Sequence, residues 1–152
     1  MRIVSTLCVL ALVTACAKPD AQPAQDTTAA AAPAPAALTL ADVAGKWTVT
    51  TTSATSDSVL VTYELNIPAD GSAPTVTFPG RAPITSTQTF SGDSIITAVG
   101  PYPSVLRKDV QVTTNSVLRL QGGDLVGTSV AHYSVSTADS VLNLRMHGKR
   151  AS

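Results

Sequence analysis

The stretch that decides the fold class is Ser58-Val59-Leu60-Val61-Thr62-Tyr63-Glu64-Leu65-Asn66-Ile67. Apolar residues occupy positions 59, 61, 63, 65 and 67, and most of the residues between them are polar. Successive side chains of a β-strand point to opposite faces, so this alternation predicts a strand with one buried face. Glu64 falls on the polar face and is expected to be solvated.

The same pattern recurs over the rest of the domain, with no convincing period of 3.6 residues. Strands are predicted near 46–53, 58–67, 74–79, 84–91, 94–99, 108–121, 125–134 and 140–150. The joints are rich in Gly and Asp, and residues 38–43 allow one short helical turn at most. Short connections between successive strands predict an all-β, antiparallel up-and-down meander of about eight strands. A closed or nearly closed small barrel is favoured because closure removes exposed edges, and a two-sheet β-sandwich is the alternative.

Gly45-Lys46-Trp47, at the start of the first strand, resembles the Gly-x-Trp pattern of lipocalins and related calycin barrels. The resemblance implies that Trp47 closes the bottom of the barrel and that an arginine from the last strand packs across its ring. Arg150 is the candidate, since it shares a face of the last strand with Leu144 and Met146.

The amino-terminal segment has the order of parts expected of an exported protein. Met1-Arg2 precedes an apolar run over 3–12 that is too short to span a membrane, so residues 1–15 are predicted to be a signal peptide. Val13-Thr14-Ala15-Cys16 resembles the bacterial lipobox. That resemblance implies a diacylglyceryl group on the Cys16 sulfur and cleavage between Ala15 and Cys16. The alternative is an ordinary secretory signal without lipid.

Residues 16–37 are predicted to be the lipidated cysteine and a disordered tether, because residues 17–37 are dominated by Ala and Pro and contain no large apolar residue. The β-barrel domain is predicted to cover 38–152. The expected location is the cell envelope, with the lipid as the link to the membrane. In a two-membrane bacterium, Ala17 after the cysteine favours the outer membrane, on its periplasmic or surface face.

Composition excludes several classes of function. The formal net charge is zero and the basic residues are scattered, which argues against nucleic acid as a partner. No cysteine follows Cys16, so disulfides, thiol catalysis and cysteine-bound zinc are excluded from the domain. No metal site is predicted, because His132 and His147 are expected to lie several residues apart on neighbouring strands. The aspartates fall mainly in turns and no nucleophile motif stands out, so neither an enzyme nor a cofactor is predicted.

Two loops combine stiff prolines, aromatic residues and cations. They cover 78–83 and 100–108 and contain Arg81, Tyr102, Arg107 and Lys108. These residues are predicted to form the rim of a pocket for an anionic or amphipathic ligand, with packed loops and solvated charges as the alternative. The expected function is binding of a small apolar or amphipathic molecule in the barrel. The alternative is a structural lipoprotein with a solid core that docks an envelope protein.

Overall fold

The structure, a computed structural model, describes residues 36–152. The predicted signal peptide, Cys16 and all but the last two tether residues lie outside the described residues. The described chain forms one short helix and eight strands. They are α1 (Leu40–Val43), β1 (Gly45–Ser53), β2 (Val59–Ile67), β3 (Thr75–Thr77), β4 (Ile84–Ser91), β5 (Ser94–Pro103), β6 (Gln111–Gln121), β7 (Asp124–Tyr133) and β8 (Val141–Arg150).

The eight strands form a closed antiparallel barrel in sequence order, which confirms the predicted up-and-down barrel over the sandwich. β8 closes the barrel by pairing with β1, from Trp47 opposite Arg150 to Ser53 opposite Leu144. Closure leaves no continuous exposed edge along the meander and gives every strand two neighbours.

Most strand ends lie within one residue of the prediction, but two strands are clearly shorter than predicted. β3 covers only Thr75–Thr77, and it begins after Pro74, which accepts a hydrogen bond from Ser86 N at 2.8 Å but has no N–H to return one. β6 begins at Gln111 rather than 108. Before it, Ser104 Oγ accepts hydrogen bonds from the backbone N–H groups of Leu106 and Arg107 at 3.1 and 3.0 Å, which folds the chain into a compact turn.

The prediction that the fifth strand ends at residue 99 is wrong. β5 continues to Pro103 through a bulge at Gly100-Pro101, where its register with β6 shifts. A bulge tolerates proline because its residues are outside the regular ladder. Gly100 has φ +111°, and a Cβ there would lie 2.7 Å from the Val112 carbonyl oxygen, so the bulge requires glycine. Tyr102 consequently lies in the barrel wall and not in a loop.

The two ends of the barrel differ. One end, hereafter the closed end, holds α1, the β4–β5 turn and the β6–β7 turn. The chain leads into the barrel at this end, where Leu38 N donates a hydrogen bond to Gly92 O at 2.8 Å. The other end, hereafter the mouth, holds the loops over 54–58, 78–83, 104–110 and 134–140. The described chain therefore enters the barrel at the end opposite the mouth.

The interior is filled from the closed end. The large side chains that are less than 2% exposed are apolar and lie mostly in the half of the barrel nearer the closed end: Trp47, Ile67, Ile95, Leu118, Leu125, Val43 and Val49. Each contributes hydrophobic stabilisation at about 25 cal/mol for each Å² of apolar surface buried. No helix within residues 36–152 is both long enough and apolar enough to cross a membrane.

Candidate functional site

A small cavity lies inside the barrel, on the mouth side of the apolar core. Its volume is about 60 Å³, measured as the space open to the centres of water molecules. One water molecule fills roughly 10–15 Å³ as a sphere, so the cavity has room for several waters. Pockets for drug-sized ligands have about 300–1,000 Å³. The barrel is therefore hollow only to a limited extent, and its size restricts what it can hold.

Aromatic side chains form a collar around the cavity, made of Tyr63, Phe78, Tyr102 and Tyr133. Phe78 stacks on Tyr102 with ring centroids 5.5 Å apart, and it contacts Tyr63 at 5.3 Å with the planes tilted by 56°. The collar contains all three tyrosines of the chain. Burial raises the pKa of the Tyr63 hydroxyl, with a smaller effect from Tyr102, and burial also raises the pKa of Tyr102 itself. Both hydroxyls are therefore neutral at physiological pH.

Buried hydroxyl groups line the same cavity beside the collar. Thr97 lies opposite Ser116 in the β5–β6 register, and Ser116 lies opposite Ser129 in the β6–β7 register. Ser116 Oγ donates to Ser129 Oγ at 2.9 Å. Ser86 Oγ is satisfied by donating to Pro74 O at 3.1 Å. These inward hydroxyls make one side of the cavity polar.

Thr51 on β1 carries a further inward hydroxyl. It is 3% exposed and lines the cavity, yet its Oγ1 has no hydrogen-bond partner within residues 36–152. A buried hydroxyl without a partner costs about 1–3 kcal/mol, and buried polar groups are nearly always satisfied by protein, water or ligand. The Thr51 oxygen has less than 1 Å² of accessible surface, so it is packed within the wall and does not border the cavity space.

The predicted rim residues occupy three different environments. Arg81 donates to the carbonyl oxygens of Pro103 and Ser104, the latter at 3.1 Å, and so ties two mouth loops together. Lys108 lies exposed in the loop over 104–110. Tyr102 faces the interior with 7% of its surface exposed, so it belongs to the collar and not to the rim.

Arg107 is held at the mouth by several contacts. Its guanidinium carbon lies 4.0 Å from the centroid of the Tyr133 ring, and Nη1 lies 3.0 Å from Asp139 Oδ2. The hydrogen bond from Thr137 and then the charge of Arg107 lower the pKa of Asp139. Arg107 therefore covers the outer face of the Tyr133 ring. A role in ligand binding for the four predicted rim residues stays a prediction.

The structure brings the predicted closing pair together. The guanidinium carbon of Arg150 lies 4.4 Å from the centroid of the Trp47 ring, which is completely buried. Arg150 also donates to Ala44 O at 2.8 Å and to Asp42 O at 2.6 Å, while Trp47 Nε1 donates to Val43 O at 2.8 Å. Three successive carbonyls at the end of α1 are thereby satisfied, and the Trp47 ring is packed beneath the Arg150 guanidinium at this end.

The histidines lie on the outer surface. His147 faces Val126 across β7–β8, as predicted, and its Nε2 lies 2.7 Å from Asp124 Oδ2. His132 is exposed near the opposite end of β7. In the part of the chain that the structure describes, no three His, Asp or Glu side chains come close enough to hold a metal ion.

The cavity hydroxyls were not singled out by the sequence reasoning. Ser and Thr are abundant on both faces of β6, where Thr114 and Ser116 alternate with Thr113 and Asn115. Such a strand does not reveal its inward face by polarity. Ser116 lies two residues before Leu118, so the two side chains share a face of β6. Assigning Leu118 to the core is therefore enough to predict that Ser116 points inward.

Comparison of the chain with family models, with curated proteins and with solved structures found no match.

Proposed function

We propose that this protein is a lipid-anchored protein of the cell envelope whose lipocalin-like barrel binds a small amphipathic molecule. The observation that carries the binding part is the cavity, where an aromatic collar adjoins buried hydroxyls. Ligand sites combine apolar walls with a few placed polar groups, which is the composition found here.

Sequence supports the anchor. The lipobox-like Val13-Thr14-Ala15-Cys16 follows a basic start and an apolar run, in the order expected of a lipoprotein leader. Two or three acyl chains hold a protein at a membrane far more firmly than one, at about 0.8 kcal/mol for each buried methylene. Entry of the chain at the closed end is compatible with such an anchor, because the mouth lies at the opposite end of the barrel.

The anchor is tested by labelling cells with radioactive or alkyne-tagged palmitate. Cys16→Ala is expected to abolish labelling, since no other cysteine follows the predicted cleavage site. Cys8→Ala is the matched control, because it removes the other cysteine of the chain and leaves the lipobox intact. Labelling that persists in Cys16→Ala, or that is lost in Cys8→Ala alone, would refute the assignment.

Interior binding is tested on the mature chain, residues 16–152, carrying Cys16→Ala so that no attached lipid interferes. Native mass spectrometry and NMR of the protein mixed with a library of small alcohols, phenols and hydrocarbons should show shifts at the cavity residues. A chain whose cavity resonances respond to no member of the library would contradict interior binding.

A second function, docking of an envelope protein, is favoured by one feature of the outer surface. Ile96 and Val117 lie opposite each other on β5 and β6 and are 45% and 43% exposed. Exposed paired apolar residues can contribute to an interaction surface. Crosslinking in cells with reagents of several lengths tests this function, and recovery of the monomer alone would count against it.

A further inference from the structure

One of the four loops at the mouth supplies most of the cavity lining that comes from loops. It covers 104–110, and its residues on the cavity are Ser104, Val105 and Leu106. Leu106 is also 37% exposed, so the loop has one side on the cavity and the other in solvent. From the other three loops of the described chain, only Phe78 lines the cavity. The segment 104–110, hereafter the cover loop, therefore lies between the cavity and the solvent.

The cover loop is tied to itself and held firmly at its base. Ser104 N donates to Val110 O at 2.8 Å, which joins the two ends of the loop. Ser104 Oγ accepts hydrogen bonds from the backbone N–H groups of Leu106 and Arg107 at 3.1 and 3.0 Å. Arg81 Nη2 donates to Ser104 O at 3.1 Å and so fixes the base from the neighbouring loop. A loop bonded in this way would move as one piece about Ser104.

A single side chain makes the polar contacts that hold the far side of the cover loop. Arg107 Nη2 donates to Asp139 O at 2.8 Å, and Nη1 lies 3.0 Å from Asp139 Oδ2. The same guanidinium lies over the Tyr133 ring, at 4.0 Å from its centroid, and Tyr133 lines the cavity. Within residues 36–152, no other polar side-chain contact joins the cover loop to the loop over 134–140. Loss of the Arg107 contacts would free this side and leave the base in place.

The contacts of Arg107 are of a kind that opens readily. The side chains of Arg107 and Asp139 are 28% and 67% exposed, so water and salt reach the ion pair. Exposed ion pairs contribute little to stability, and dissolved salt screens them further. A conformation in which such a contact is broken lies within a few kcal/mol of the closed one, where it is populated at roughly 0.1–10%.

We propose that the cover loop gates the cavity and that Arg107 is its latch, an inference that rests on the interior binding proposed above. The structure shows the closed state. When Arg107 leaves Asp139 and Tyr133, the cover loop turns about Ser104 and opens the mouth to an incoming molecule. Arg107 is thus a positioning residue that controls entry, and it does not contact the molecule inside.

Access to the cavity can be measured without any ligand. The mature chain, residues 16–152 with Cys16→Ala, contains no cysteine, so a single introduced thiol is the only target for a thiol reagent. Ser116→Cys places that thiol on the cavity wall, where Ser116 is 5% exposed. The rate of its reaction with methyl methanethiosulfonate, a small uncharged reagent, is followed by mass spectrometry. When the loop opens and closes faster than the thiol reacts, this rate is proportional to the open fraction.

Replacement of the latch should increase the labelling rate. Arg107→Met, made in the Ser116→Cys protein, is expected to react at least about fivefold faster than the parent, which corresponds to about 1 kcal/mol in favour of the open state. Raising NaCl from about 0.05 to about 0.5 M should increase the rate of the parent about twofold by screening the ion pair, and should leave Arg107→Met unchanged. Lys108→Met is the matched control, because Lys108 is the exposed neighbour on the same loop and carries the same charge. It should label like the parent.

A second reporter separates opening of the loop from unfolding of the barrel. Val49 is 1% exposed and is not part of the cavity lining, so a thiol in Val49→Cys reacts only when the core itself opens. Arg107→Met should accelerate labelling in Ser116→Cys and leave it nearly unchanged in Val49→Cys. Equal acceleration at both positions would mean that the substitution only destabilises the fold, and it would overturn the gate.

The remaining outcomes distinguish this inference from the function on which it rests. An unchanged rate in Arg107→Met, or the same acceleration in Lys108→Met, would overturn the latch while leaving interior binding intact. Labelling of Ser116→Cys that is no faster than that of Val49→Cys, in the parent and in Arg107→Met alike, would show that the cavity opens only on unfolding and would overturn the gate. A silent screen of the small-molecule library would in addition overturn interior binding.

Discussion

Replacement of Arg150 by methionine should destabilise the barrel at its closed end. Arg150 makes three contacts there: a cation–π contact with Trp47 at 4.4 Å and hydrogen bonds to Ala44 O and Asp42 O at 2.8 and 2.6 Å. Methionine retains much of the apolar length of the side chain but has neither the charge nor the N–H donors. The variant therefore isolates the contribution of the guanidinium.

The magnitude follows from those contacts. A cation–π contact contributes about 0.5–2 kcal/mol and a hydrogen bond from a charged donor about 1.5–3 kcal/mol in buried settings. Arg150 is exposed, so water replaces part of what is lost, and we expect a total loss of about 2–3 kcal/mol. For a domain of this size, that loss corresponds to a decrease in Tm of roughly 8–12 °C.

Thermal unfolding followed by circular dichroism measures the loss, and the fluorescence of Trp47, the single tryptophan, reports on the closed end directly. Arg150→Lys should give an intermediate Tm, because one ammonium group cannot reproduce the planar fork of the guanidinium. Lys149→Met is the control, since Lys149 is 69% exposed and its Nζ lies 3.9 Å from Asp124. A Tm of Arg150→Met within about 2 °C of the parent would show that the guanidinium contributes much less at the closed end than its contacts indicate.

Three further substitutions probe the wall and the collar. Gly127→Ala would place a Cβ 1.9 Å from the Val117 carbonyl oxygen and should destabilise the fold by at least about 3 kcal/mol. Gly148→Ala, whose Cβ has its nearest contact at 3.2 Å, should destabilise it less. Equal midpoints of urea unfolding for the two variants would contradict this difference. Burial raises the pKa of Tyr63 above its unfolded value of 10.0, so stability is complete below pH 10 and falls as the pH rises toward the folded pKa, because the unfolded chain loses the proton first. Tyr63→Phe cannot lose this proton, so its free energy of unfolding, measured by urea titration, should fall less than that of the parent up to about pH 11. Phe78→Ala should lower the unfolding free energy by about 3–5 kcal/mol and let the cavity admit 2-naphthol, and NMR titration that shows no such binding would argue against a collar that limits ligand size.

The fold class and much of the strand layout could be predicted from the alternation of apolar residues. The segment over 58–67 has a clear period of two, and the observed β2 begins one residue later. The pairing of Trp47 with Arg150 was implied by the resemblance carried by Gly45-Lys46-Trp47, and parity on β8, which places Arg150 on the same face as Leu144 and Met146, agreed with it. Strand direction and the side-chain period are local properties, so they leave a direct trace in the order of residues.

Other features depend on what lies across the barrel. Nothing local to Gly100-Pro101 says that β5 continues past it, because the bulge is defined by its register with β6. Likewise Tyr102 looked like a loop residue until the continued strand turned it inward to stack on Phe78. The cavity is the clearest case, since its size depends on how side chains from all eight strands fill one enclosure.

Thr51 shows the division in a single residue. Its place in a strand, with Trp47 and Val49 on the same face, follows from the local pattern of β1. Whether its hydroxyl has a partner depends on the strands around it, which supply none within the described chain. Alternation along the chain was therefore enough to predict a barrel with Thr51 on the core-facing side of β1. Closure of β8 on β1, which sets Thr51 opposite Met146, was needed to bury that hydroxyl within the wall.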